Sequence, residues 1–346
     1  MSNPKQVRVA VNGYGVIGKR VADAVGRQED MTLAGVIDVA TDWRTRVLAS
    51  PGIPLFGASA GHAATMRAAG LEVAGVMEDL LADVDVVVDC TPKAVAARNV
   101  VHYRQRHLKF IVQGGEKHEV TGHSFVAEAN YASALGLPAT RVVSCNTTSI
   151  VRTLGVLHRA GLLVRARGTL LRRATDPWES HVGGIMNTLV PEPTIPSHQG
   201  PDAQSVLPDL DVITMAVKVP ETLAHLHYWA VDLARPASRE EVLAAFATST
   251  RIALIRGGLG LGSLNAVKEF TSDARRPRSD LYEVALWADM LTVRGTELFY
   301  AYMVDNQAIV VPETIDAIRA ISGVEQDAQR SIAHTDASLG IGALPW

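Results

Sequence analysis

The stretch VRVAVNGYGVIGKRVADAV, residues 7–25, limits the possible folds of this chain more than any other. A valine-rich run at 7–12 leads into Gly13, Gly15 and Gly18, and a run of helical character follows. Three glycines in this spacing allow a tight turn and a close backbone approach, which together place a pyrophosphate at a helix N-terminus. The opening therefore predicts a βαβ unit with a parallel sheet and a bound dinucleotide.

The rest of the first half repeats the alternation of strand and helix. Short runs rich in valine and isoleucine, bounded by Gly, Asp or Asn, predict buried strands, and stretches such as 18–29 predict helices between them. The further predicted strands are 31–38, 83–90, 109–115 and 141–145. This alternation is typical of an α/β protein with a Rossmann-type, doubly wound parallel sheet.

Beyond residue 160 the pattern changes to longer runs of alternating polar and apolar residues, such as DVITMAVKVP and MLTVRGTELFYAYMV. Alternation of this kind predicts a mostly antiparallel sheet with one exposed face, and thus a second, α+β domain. The stretch from Thr175 to Asp209 is rich in Pro, Gly and polar residues and is too long for an idle connection. It is a candidate functional loop.

Length and charge exclude several classes of function. At 346 residues the chain exceeds the size at which one core stops growing, about 250 to 300 residues, which favours two domains. Lys and Arg number 33 against 36 Asp and Glu, a net charge of -3, so neither nucleic acid nor a membrane surface is an expected partner. Two cysteines and no signal or transmembrane run predict a cytoplasmic protein with free thiols.

The second predicted strand ends in Asp38, 20 residues beyond Gly18. At this distance a dinucleotide-binding fold places an acid on the adenosine ribose hydroxyls. The carboxylate would also repel a 2′-phosphate, so NAD is predicted in preference to NADP.

Cys145 stands between the predicted strand 141–145 and a run of helical character, in the stretch VVSCNTTSIVRTL. If the helix begins near Asn146 or Thr147, its N–H groups and dipole favour a thiolate below the ordinary pKa of about 8.5. A thiolate attacks aldehydes, and the same N–H groups could stabilise the resulting oxyanion. The alternative for Cys145 is a buried, inert thiol, which is the expectation for Cys90.

The stretch AHLHYWAV supplies a candidate base. His225 and His227 alternate along a predicted strand and therefore project from the same face. His198, on the long loop, is a further candidate. No third ligand is spaced for a metal ion, so no metal site is predicted.

Cationic anchors follow in LLRRATDP, where Arg172 and Arg173 occupy opposite faces of a strand end and Thr175 comes next in the turn. A guanidinium near a hydroxyl suits phosphate oxygens, and the alternative is a surface charge pair.

These residues together resemble the archaeal-type (type II) glyceraldehyde-3-phosphate dehydrogenases. The resemblance rests on motifs that run in the family's order over nearly the whole chain. They are VAVNGYGVIGKRVADAV, QGGEK, VVSCNTTSIVRTL, LLRRATDP, PSHQGPDAQSV, AHLHYWAV and IVVPETIDAIRAI.

The resemblance implies NAD(P)-dependent, phosphorylating oxidation of D-glyceraldehyde 3-phosphate to 1,3-bisphosphoglycerate in a homotetramer. It implies a dinucleotide-binding domain over 1–143, a catalytic domain over 144–304 and a C-terminal segment, 305–346, that returns to the first domain. The implied nucleophile is Cys145, and the implied activating histidine is His225, with His227 as the alternative.

The resemblance also implies binding residues. Cofactor contacts fall at Val16, Ile17, Gly115 and Arg173, besides the glycine turn and Asp38. Substrate or phosphate contacts fall at Ser144, Asn146, Thr175, His198, Gln199 and Gly200.

The chain departs from the family pattern at three places. Asp38 and Val39 stand where many members carry a basic residue and a threonine, which supports NAD. Gln199 replaces a histidine, which puts phosphate affinity and the identity of the aldehyde in question. Asn306 stands where the family often has a glutamine beside the nicotinamide, and Gln307 is the alternative there.

In the mechanism expected from these roles, a Cys145 thiolate adds to the aldehyde and an imidazolium at His225 stabilises the oxyanion. His225 takes the hydroxyl proton as hydride leaves, and phosphate attacks the resulting thioester. Two other readings compete: a related dehydrogenase for another phosphorylated aldehyde or semialdehyde, and an NAD-binding redox sensor without turnover.

Overall fold

The chain forms two compact units. The structure, a computed structural model, describes residues 6–49, 52–113 and 115–346. The first unit contains the described residues up to Ser144 together with Val311–Leu339, and the second contains Cys145–Val310 and Gly340–Trp346. Gly114, within the predicted strand 109–115, lies outside the described residues.

The first unit is built on a sheet in which each described strand pair is parallel. Its strands are β1 (Val7–Asn12), β2 (Met31–Asp38), β3 (Leu55–Gly57), β4 (Gly75–Val76), β5 (Val86–Asp89), β6 (Lys109–Gln113), β7 (Ser124–Phe125) and β8 (Ala139–Val142). Their order is β4-β3-β2-β1-β5-β6-β8-β7, so the chain winds outward from β1 in both directions. The Rossmann-type fold predicted from the sequence is confirmed.

Helices connect these strands as parallel pairing requires. They are α1 (Val16–Val25), α2 (Trp43–Arg46), α3 (Ala60–Ala68), α4 (Met77–Leu81), α5 (Ala96–Gln105) and α6 (Ala127–Asn130). The starts of α2 and α3 are capped by Asp42 and Ser59, whose side chains accept the backbone N–H groups of Arg44 and His62. Helix α1 follows Gly15 and has no side-chain cap, which leaves its first N–H groups available to a ligand.

The core of this unit explains its valine-rich strands. All residues of β5 are buried, because strands lie on both sides of it and the sheet is covered on both faces. Tyr103 of α5 packs on Phe110 of β6 with ring centroids 5.6 Å apart, in a cluster with Val87 and Val112. Burial of each such side chain contributes about 1.5 to 3 kcal/mol.

Three predicted strands differ from the structure in their bounds. Strand β5 covers Val86–Asp89 where 83–90 is predicted, β6 covers Lys109–Gln113 where 109–115 is predicted, and β8 is displaced at both ends. The sequence predicts an extended run over 141–145, but β8 covers Ala139–Val142 and Cys145 is already helical. The reason is pairing: β8 bonds to β6 from Ala139 opposite Phe110 to Val142 opposite Gln113, and both strands end together.

The second unit contains a mixed sheet of eight strands. They are β9 (Leu163–Arg173), β10 (Val190–Pro191), β11 (Val212–Val219), β12 (His225–Leu233), β13 (Ile252–Ile255), β14 (Val284–Trp287), β15 (Thr292–Arg294) and β16 (Glu297–Val304). Their order is β10-β11-β9-β12-β16-β14-β13, with β15 beside β16. Two pairs, β9 with β11 and β13 with β14, are parallel and the others antiparallel, as the predicted mostly antiparallel sheet requires.

The helices of the second unit are α7 (Cys145–Arg159), α8 (Ser180–Gly183), α9 (Gln199–Gln204), α10 (Arg239–Phe246) and α11 (Leu264–Asp273). Helix α7 is the longest of them, and its residues from Asn146 to Leu157 are all buried. The predicted long loop therefore contains two short helices, α8 and α9, and the short strand β10.

The C-terminal segment contains α12 (Val310–Ser322) and α13 (Ala328–Leu339). Arg319 of α12 bonds through Nε to Asp30 at 2.7 Å, within the first unit. The last seven residues belong to the second unit instead. There Arg276 donates to the carbonyl of Gly340 at 2.7 Å, and the Trp346 ring lies on Phe270 with centroids 5.0 Å apart.

Candidate active site

The thiol of Cys145 faces the first residue of β12. Sγ of Cys145, at the start of α7, lies 3.4 Å from Nε2 of His225. His225 and His227 are both buried, whereas Tyr228 points the other way and is 44% exposed. The alternation of a strand thus turns both histidines toward the interior, where α7 begins.

The second ring nitrogen of His225 has a fixed role. Its Nδ1 accepts the backbone N–H of Arg173 at 3.0 Å. A neutral imidazole that accepts at Nδ1 carries its proton on Nε2. The neutral ring therefore presents an N–H donor to Sγ of Cys145.

Burial sets the protonation of this pair. Burial raises the pKa of Cys145 to about 11, and the Arg173 guanidinium and the Asn146 backbone N–H lower it only in part. Burial, with His227 and Arg173 nearby, holds the pKa of His225 well below its ordinary value. At neutral pH the pair is a thiol beside a neutral imidazole. The sequence predicts a lowered pKa for this thiol. The structure raises the pKa instead, because a helix N-terminus contributes only about 0.3 to 1 kcal/mol and burial outweighs that contribution.

His227 contacts the residue that follows the nucleophile. Its Nε2 lies 2.9 Å from Oδ1 of Asn146, and its Nδ1 lies 3.0 Å from the hydroxyl of Tyr302. Burial lowers the pKa of His227 to about 3, so this ring is also neutral. Cys145 and Asn146, which are consecutive in α7, thus contact His225 and His227, which alternate along β12.

Arg173 is fixed at the end of β9. Its Nη2 lies 3.0 Å from Oδ1 of Asp176, which also accepts Nε2 of Gln307 at 2.5 Å. Nε and Nη1 of Arg173 are buried and have no partner among the described residues. An arginine held at one edge with free donors at the others is suited to an anion.

Arg172 belongs to a different cluster, defined by Arg172, Glu192 and His198. Glu192 accepts Nη1 of Arg172 at 2.8 Å and contacts Nδ1 of His198 at 2.6 Å. Burial raises the pKa of Glu192, but the hydrogen bonds and charge of His198 and the charge of Arg172 together outweigh burial and lower the pKa. A carboxylate therefore stands between the Arg172 guanidinium at the end of β9 and the His198 ring of the predicted loop.

The predicted loop residues lie beside α7. Thr147 of α7 bonds through Oγ1 to Asp202 of α9 at 2.7 Å. Gln199, the first residue of α9, is fully buried, and neither its amide oxygen nor its nitrogen has a partner among the described residues. Gly200 donates its N–H to Thr214 at 2.9 Å.

Three further predicted residues, Ser144, Thr175 and Asn306, differ in their surroundings. Ser144 precedes α7 directly, and Thr175 lies 3.5 Å from Glu179 through Oγ1. Asn306 is 9% exposed, and its Oδ1 has no partner in the described part of the chain. The neighbouring Gln307 is engaged through Nε2 with Asp176, whereas the Asn306 amide oxygen meets no partner among the described residues and is suited to a ligand donor.

The glycine turn of the first unit has the shape that a pyrophosphate needs. A Cβ on Gly18 would lie 1.8 Å from the carbonyl oxygen of Gly13, whereas a Cβ on Gly15 would meet nothing within 4 Å. Gly13 itself has a φ of +91°, which favours glycine. Open space at Gly15 and the uncapped N–H groups of Val16 and Ile17 fit a dinucleotide phosphate.

Asp38 has a second task beyond the predicted one. Its Oδ2 accepts the N–H of Tyr14 at 2.6 Å, and its Oδ1 accepts those of Val39 and Ala40 at 2.7 and 2.8 Å. The carboxylate thereby fastens the glycine turn to the end of β2. A carboxylate has about four acceptor positions, so one stays open for a ribose hydroxyl.

The carboxyl end of the parallel sheet brings the remaining predicted residue to the same edge. Gly115 follows β6, and the atoms nearest to a Cβ there belong to Lys93, at 3.7 Å. Lys93 stands in the loop after β5, whose residues Cys90 and Thr91 pack on Gly13. Ligands of open α/β sheets bind at this edge. The described residues hold no cluster of His, Cys, Asp and Glu arranged for a metal ion.

Sequence reasoning did not find Tyr302, Glu192 or the bonding role of Asp176. Tyr302 is one of several aromatic residues in an alternating strand, and only the register of β16 against β12 sets it opposite His227. Glu192 belongs to a proline-rich run without a recognisable motif. Alternation along the strand predicts that Tyr302 is buried, but it does not predict that Tyr302 lies beside a histidine.

Comparison with known proteins agrees with this geometry. Residues 144–285 match the C-terminal domain of glyceraldehyde 3-phosphate dehydrogenase, and residues 7–116 match the N-terminus of dihydrodipicolinate reductase. A glyceraldehyde-3-phosphate dehydrogenase of Pyrobaculum calidifontis is 48% identical over 336 residues, covering 96% of this chain and 97% of that protein. The chain belongs to the archaeal-type glyceraldehyde-3-phosphate dehydrogenase family.

Further members of this family have the same extent. The glyceraldehyde-3-phosphate dehydrogenase of Metallosphaera sedula is 44% identical over 337 residues, covering 97% of this chain and 98% of that protein. The glyceraldehyde-3-phosphate dehydrogenase of Thermococcus kodakarensis is 44% identical over 336 residues, covering 97% of this chain and 99% of that protein. Membership of this oxidoreductase family supports a nicotinamide cofactor and a small-molecule substrate. No helix in residues 6–49, 52–113 and 115–346 is long and apolar enough to span a membrane.

Proposed function

We propose that the protein oxidises D-glyceraldehyde 3-phosphate to 1,3-bisphosphoglycerate, with NAD as the hydride acceptor and inorganic phosphate as the second substrate. The 3.4 Å contact between Sγ of Cys145 and Nε2 of His225 carries the proposal. A thiol beside an N–H donor, at a helix N-terminus, is suited to forming a hemithioacetal with an aldehyde.

The first unit would hold the cofactor through residues whose geometry fits it. The N–H groups of Val16 and Ile17 and the space at Gly15 would take the pyrophosphate, and Asp38 would bond to the adenosine ribose. Gly115, Arg173 and Asn306 stay proposed contacts. When bound, the nicotinamide supplies the acceptor for a hydride.

The first chemical step takes place at the sulfur. The thiol of Cys145 loses its proton to solvent, and the thiolate forms a bond to the aldehyde carbon while the carbonyl electron pair moves to oxygen. His225, as the Nε2–H tautomer, and the backbone N–H of Asn146 donate to the anions formed on this path.

The oxyanion makes a separate base unnecessary in the next step. Its electron pair re-forms the carbonyl as hydride leaves the carbon, and Cys145 is left as a thioester. Inorganic phosphate then attacks the thioester carbon, the carbon–sulfur bond breaks, and the Cys145 thiolate returns. In this scheme His225 is a donor throughout, whereas the mechanism expected from the sequence uses it as an imidazolium and then as a base.

The phosphate groups of the two substrates would be bound near α9. The proposed contacts are Ser144, Asn146, Thr175, His198, Gln199 and Gly200, with Arg172 as a cation beside His198. The buried amide of Gln199 supports a role in ligand binding, because an unpartnered buried amide is costly and a ligand would satisfy it.

The NAD preference rests on charge. Asp38 stands where a 2′-phosphate would approach the end of β2, and two like charges there would weaken NADP binding. The functional domain boundaries at residues 143 and 304 and the cytoplasmic location stay predictions.

A homotetramer is proposed for the assembly. The outer face of the second sheet carries exposed apolar side chains, among them Ile213, Met215, Tyr228 and Phe299, which are 38% to 44% exposed. Apolar residues grouped on one sheet face favour burial against another subunit.

The test is reduction of NAD by the purified protein with D-glyceraldehyde 3-phosphate, with and without inorganic phosphate, and again with NADP. Phosphate-dependent NADH formation is expected. Cys145→Ser should abolish turnover and leave NAD binding intact. Cys90→Ser, the matched control, should leave turnover nearly unchanged. An active Cys145→Ser enzyme would refute the scheme. An inactive wild-type protein that binds NAD would favour another aldehyde or the redox sensor.

A further inference from the structure

The structure assigns a positioning role to His227 and Tyr302: we propose that they hold the Asn146 side chain with its N–H donors directed to the oxygen of the reacting aldehyde. The inference rests on the proposed dehydrogenase function. It adds an oxyanion donor to the reaction and explains why β12 carries two buried histidines where one contacts the nucleophile.

The hydrogen bonds fix the direction of the Asn146 amide. Oδ1 of Asn146 can only accept, so Nε2 of His227, 2.9 Å away, carries the ring proton. Nδ1 of His227 is then an acceptor. The Tyr302 hydroxyl lies 3.0 Å from Nδ1 and 3.3 Å from Oγ of Ser149, which itself donates to the Asn146 carbonyl, and its one proton goes to the nearer acceptor, Nδ1. The polarity runs in one direction, from Tyr302 through His227 to Asn146.

The remaining end of the amide, Nδ2, is the donor that the proposal assigns to the substrate. Nδ2 of Asn146 makes no hydrogen bond to the described residues, although Asn146 is only 4% exposed. An amide nitrogen is a pure donor, and a site in which it is fixed beside the nucleophile favours an acceptor oxygen. The carbonyl oxygen of an aldehyde attacked by Cys145 is such an acceptor.

Burial keeps this arrangement in one state. His227 and Tyr302 are both fully buried, and their rings pack with centroids 4.9 Å apart. Burial lowers the pKa of His227 to about 3, so the ring does not acquire a second proton in the physiological range. In a protonated His227, Nδ1 would carry a proton and could no longer accept the Tyr302 hydroxyl. The neutral ring keeps Nδ1 as an acceptor.

The Asn146 N–H donor acts mainly in the transition state of the reaction. An N–H that points to an oxygen contributes little to the bound aldehyde and more once the oxygen carries negative charge. Loss of the arrangement should therefore reduce kcat more than it raises the KM of the aldehyde. Removal of one such donor costs roughly 100-fold to 1,000-fold in comparable sites.

The experiment compares His227→Phe, which removes the donor, with His227→Gln, which keeps an amide N–H near the place of Nε2. Tyr302→Phe removes the second link. Tyr300→Phe is the matched control, because Tyr300 is buried two residues away on β16 and its hydroxyl has no partner among the described residues. Each variant is assayed for kcat, aldehyde KM, NAD affinity and Tm.

His227→Phe is expected to lower kcat by roughly 100-fold, with aldehyde KM and NAD affinity within about threefold of wild type. His227→Gln should recover most of the loss, Tyr302→Phe should lose about 10-fold and Tyr300→Phe should lose nothing. Equal losses in His227→Phe and His227→Gln, or an unchanged kcat in both His227→Phe and Tyr302→Phe, would overturn the inference. Either result with an active wild-type enzyme leaves the proposed function standing, whereas an inactive wild-type enzyme refutes that function first.

Discussion

The backbone N–H of Arg173 lies 3.0 Å from Nδ1 of His225, and this contact decides which ring nitrogen carries the proton. A backbone donor cannot be deleted by an ordinary side-chain substitution. The tautomer is therefore a property of the β9 and β12 pairing and not of any one side chain. The same strand end carries the guanidinium that lowers the pKa of Cys145.

The first prediction concerns this thiol. Because burial raises the pKa of Cys145 to about 11, the thiolate fraction should rise with pH throughout the alkaline range. Alkylation of Cys145 by iodoacetamide, without cofactor, should accelerate about 10-fold per pH unit between pH 7 and pH 10. Arg173→Met should slow the reaction at each pH, because the largest charge that opposes the shift is gone. A rate that levels off below pH 9 would contradict the raised pKa.

The second prediction concerns cofactor choice. Asp38→Asn removes the charge that repels a 2′-phosphate, so the ratio of kcat/KM for NADP to that for NAD should rise about 10-fold. The KM for NAD should also rise, since the amide keeps only one of the two oxygens that fasten the turn. Asp42→Asn is the control: it removes a nearby charge, and Asn caps α2 as well as Asp does. An equal shift in Asp42→Asn would attribute selectivity to long-range charge.

The third prediction separates folding from binding at the glycine turn. Gly18→Ala places a Cβ 1.8 Å from the Gly13 carbonyl, so the free energy of unfolding should fall by about 4 kcal/mol or more. Gly15→Ala meets nothing within 4 Å, and its Tm should stay near that of wild type. Its Kd for NAD, measured by calorimetry, should nevertheless rise about 10-fold, because the Cβ fills space needed by the pyrophosphate. Wild-type NAD affinity in Gly15→Ala would place the phosphate elsewhere.

The fourth prediction uses the buried amide of Gln199. Gln199→Met removes two unpartnered polar atoms at nearly constant volume, so the free energy of unfolding should rise by about 1 kcal/mol. The KM for phosphate or the aldehyde should rise at the same time, which is a trade of function for stability. Gln204→Met in the same helix is the control. It loses a 2.8 Å bond to the Leu210 carbonyl and should not gain stability. A Gln199→Met enzyme with unchanged KM values would exclude Gln199 from the site.

The local pattern of the sequence predicts the first unit well. Strands β1 and β2 begin and end at the predicted residues, because a buried parallel strand is a continuous apolar run bounded by Gly or Asp. The end of β8 was misplaced, since its length depends on pairing with β6 and not on its own residues.

The site was predictable where motifs carry the chemistry and not where register does. The pairing of Cys145 with His225 follows from two motifs, but the donor role of His225 depends on a backbone N–H that no residue type reveals. Tyr302 reaches His227 only through the antiparallel register of β12 and β16. The pKa of Cys145 required the burial of the whole site, which a local stretch does not encode.

The last seven residues have a practical consequence for protein production. Gly342 donates its N–H to Glu283 at 3.2 Å, and Trp346 packs on Phe270, so the segment 340–346 is held against the second unit. An affinity tag fused after Trp346 would begin in a packed environment and compete with that contact. Preparations for the measurements above should carry their tag ahead of Met1, and a cleavable one allows the Tm values to be compared without it.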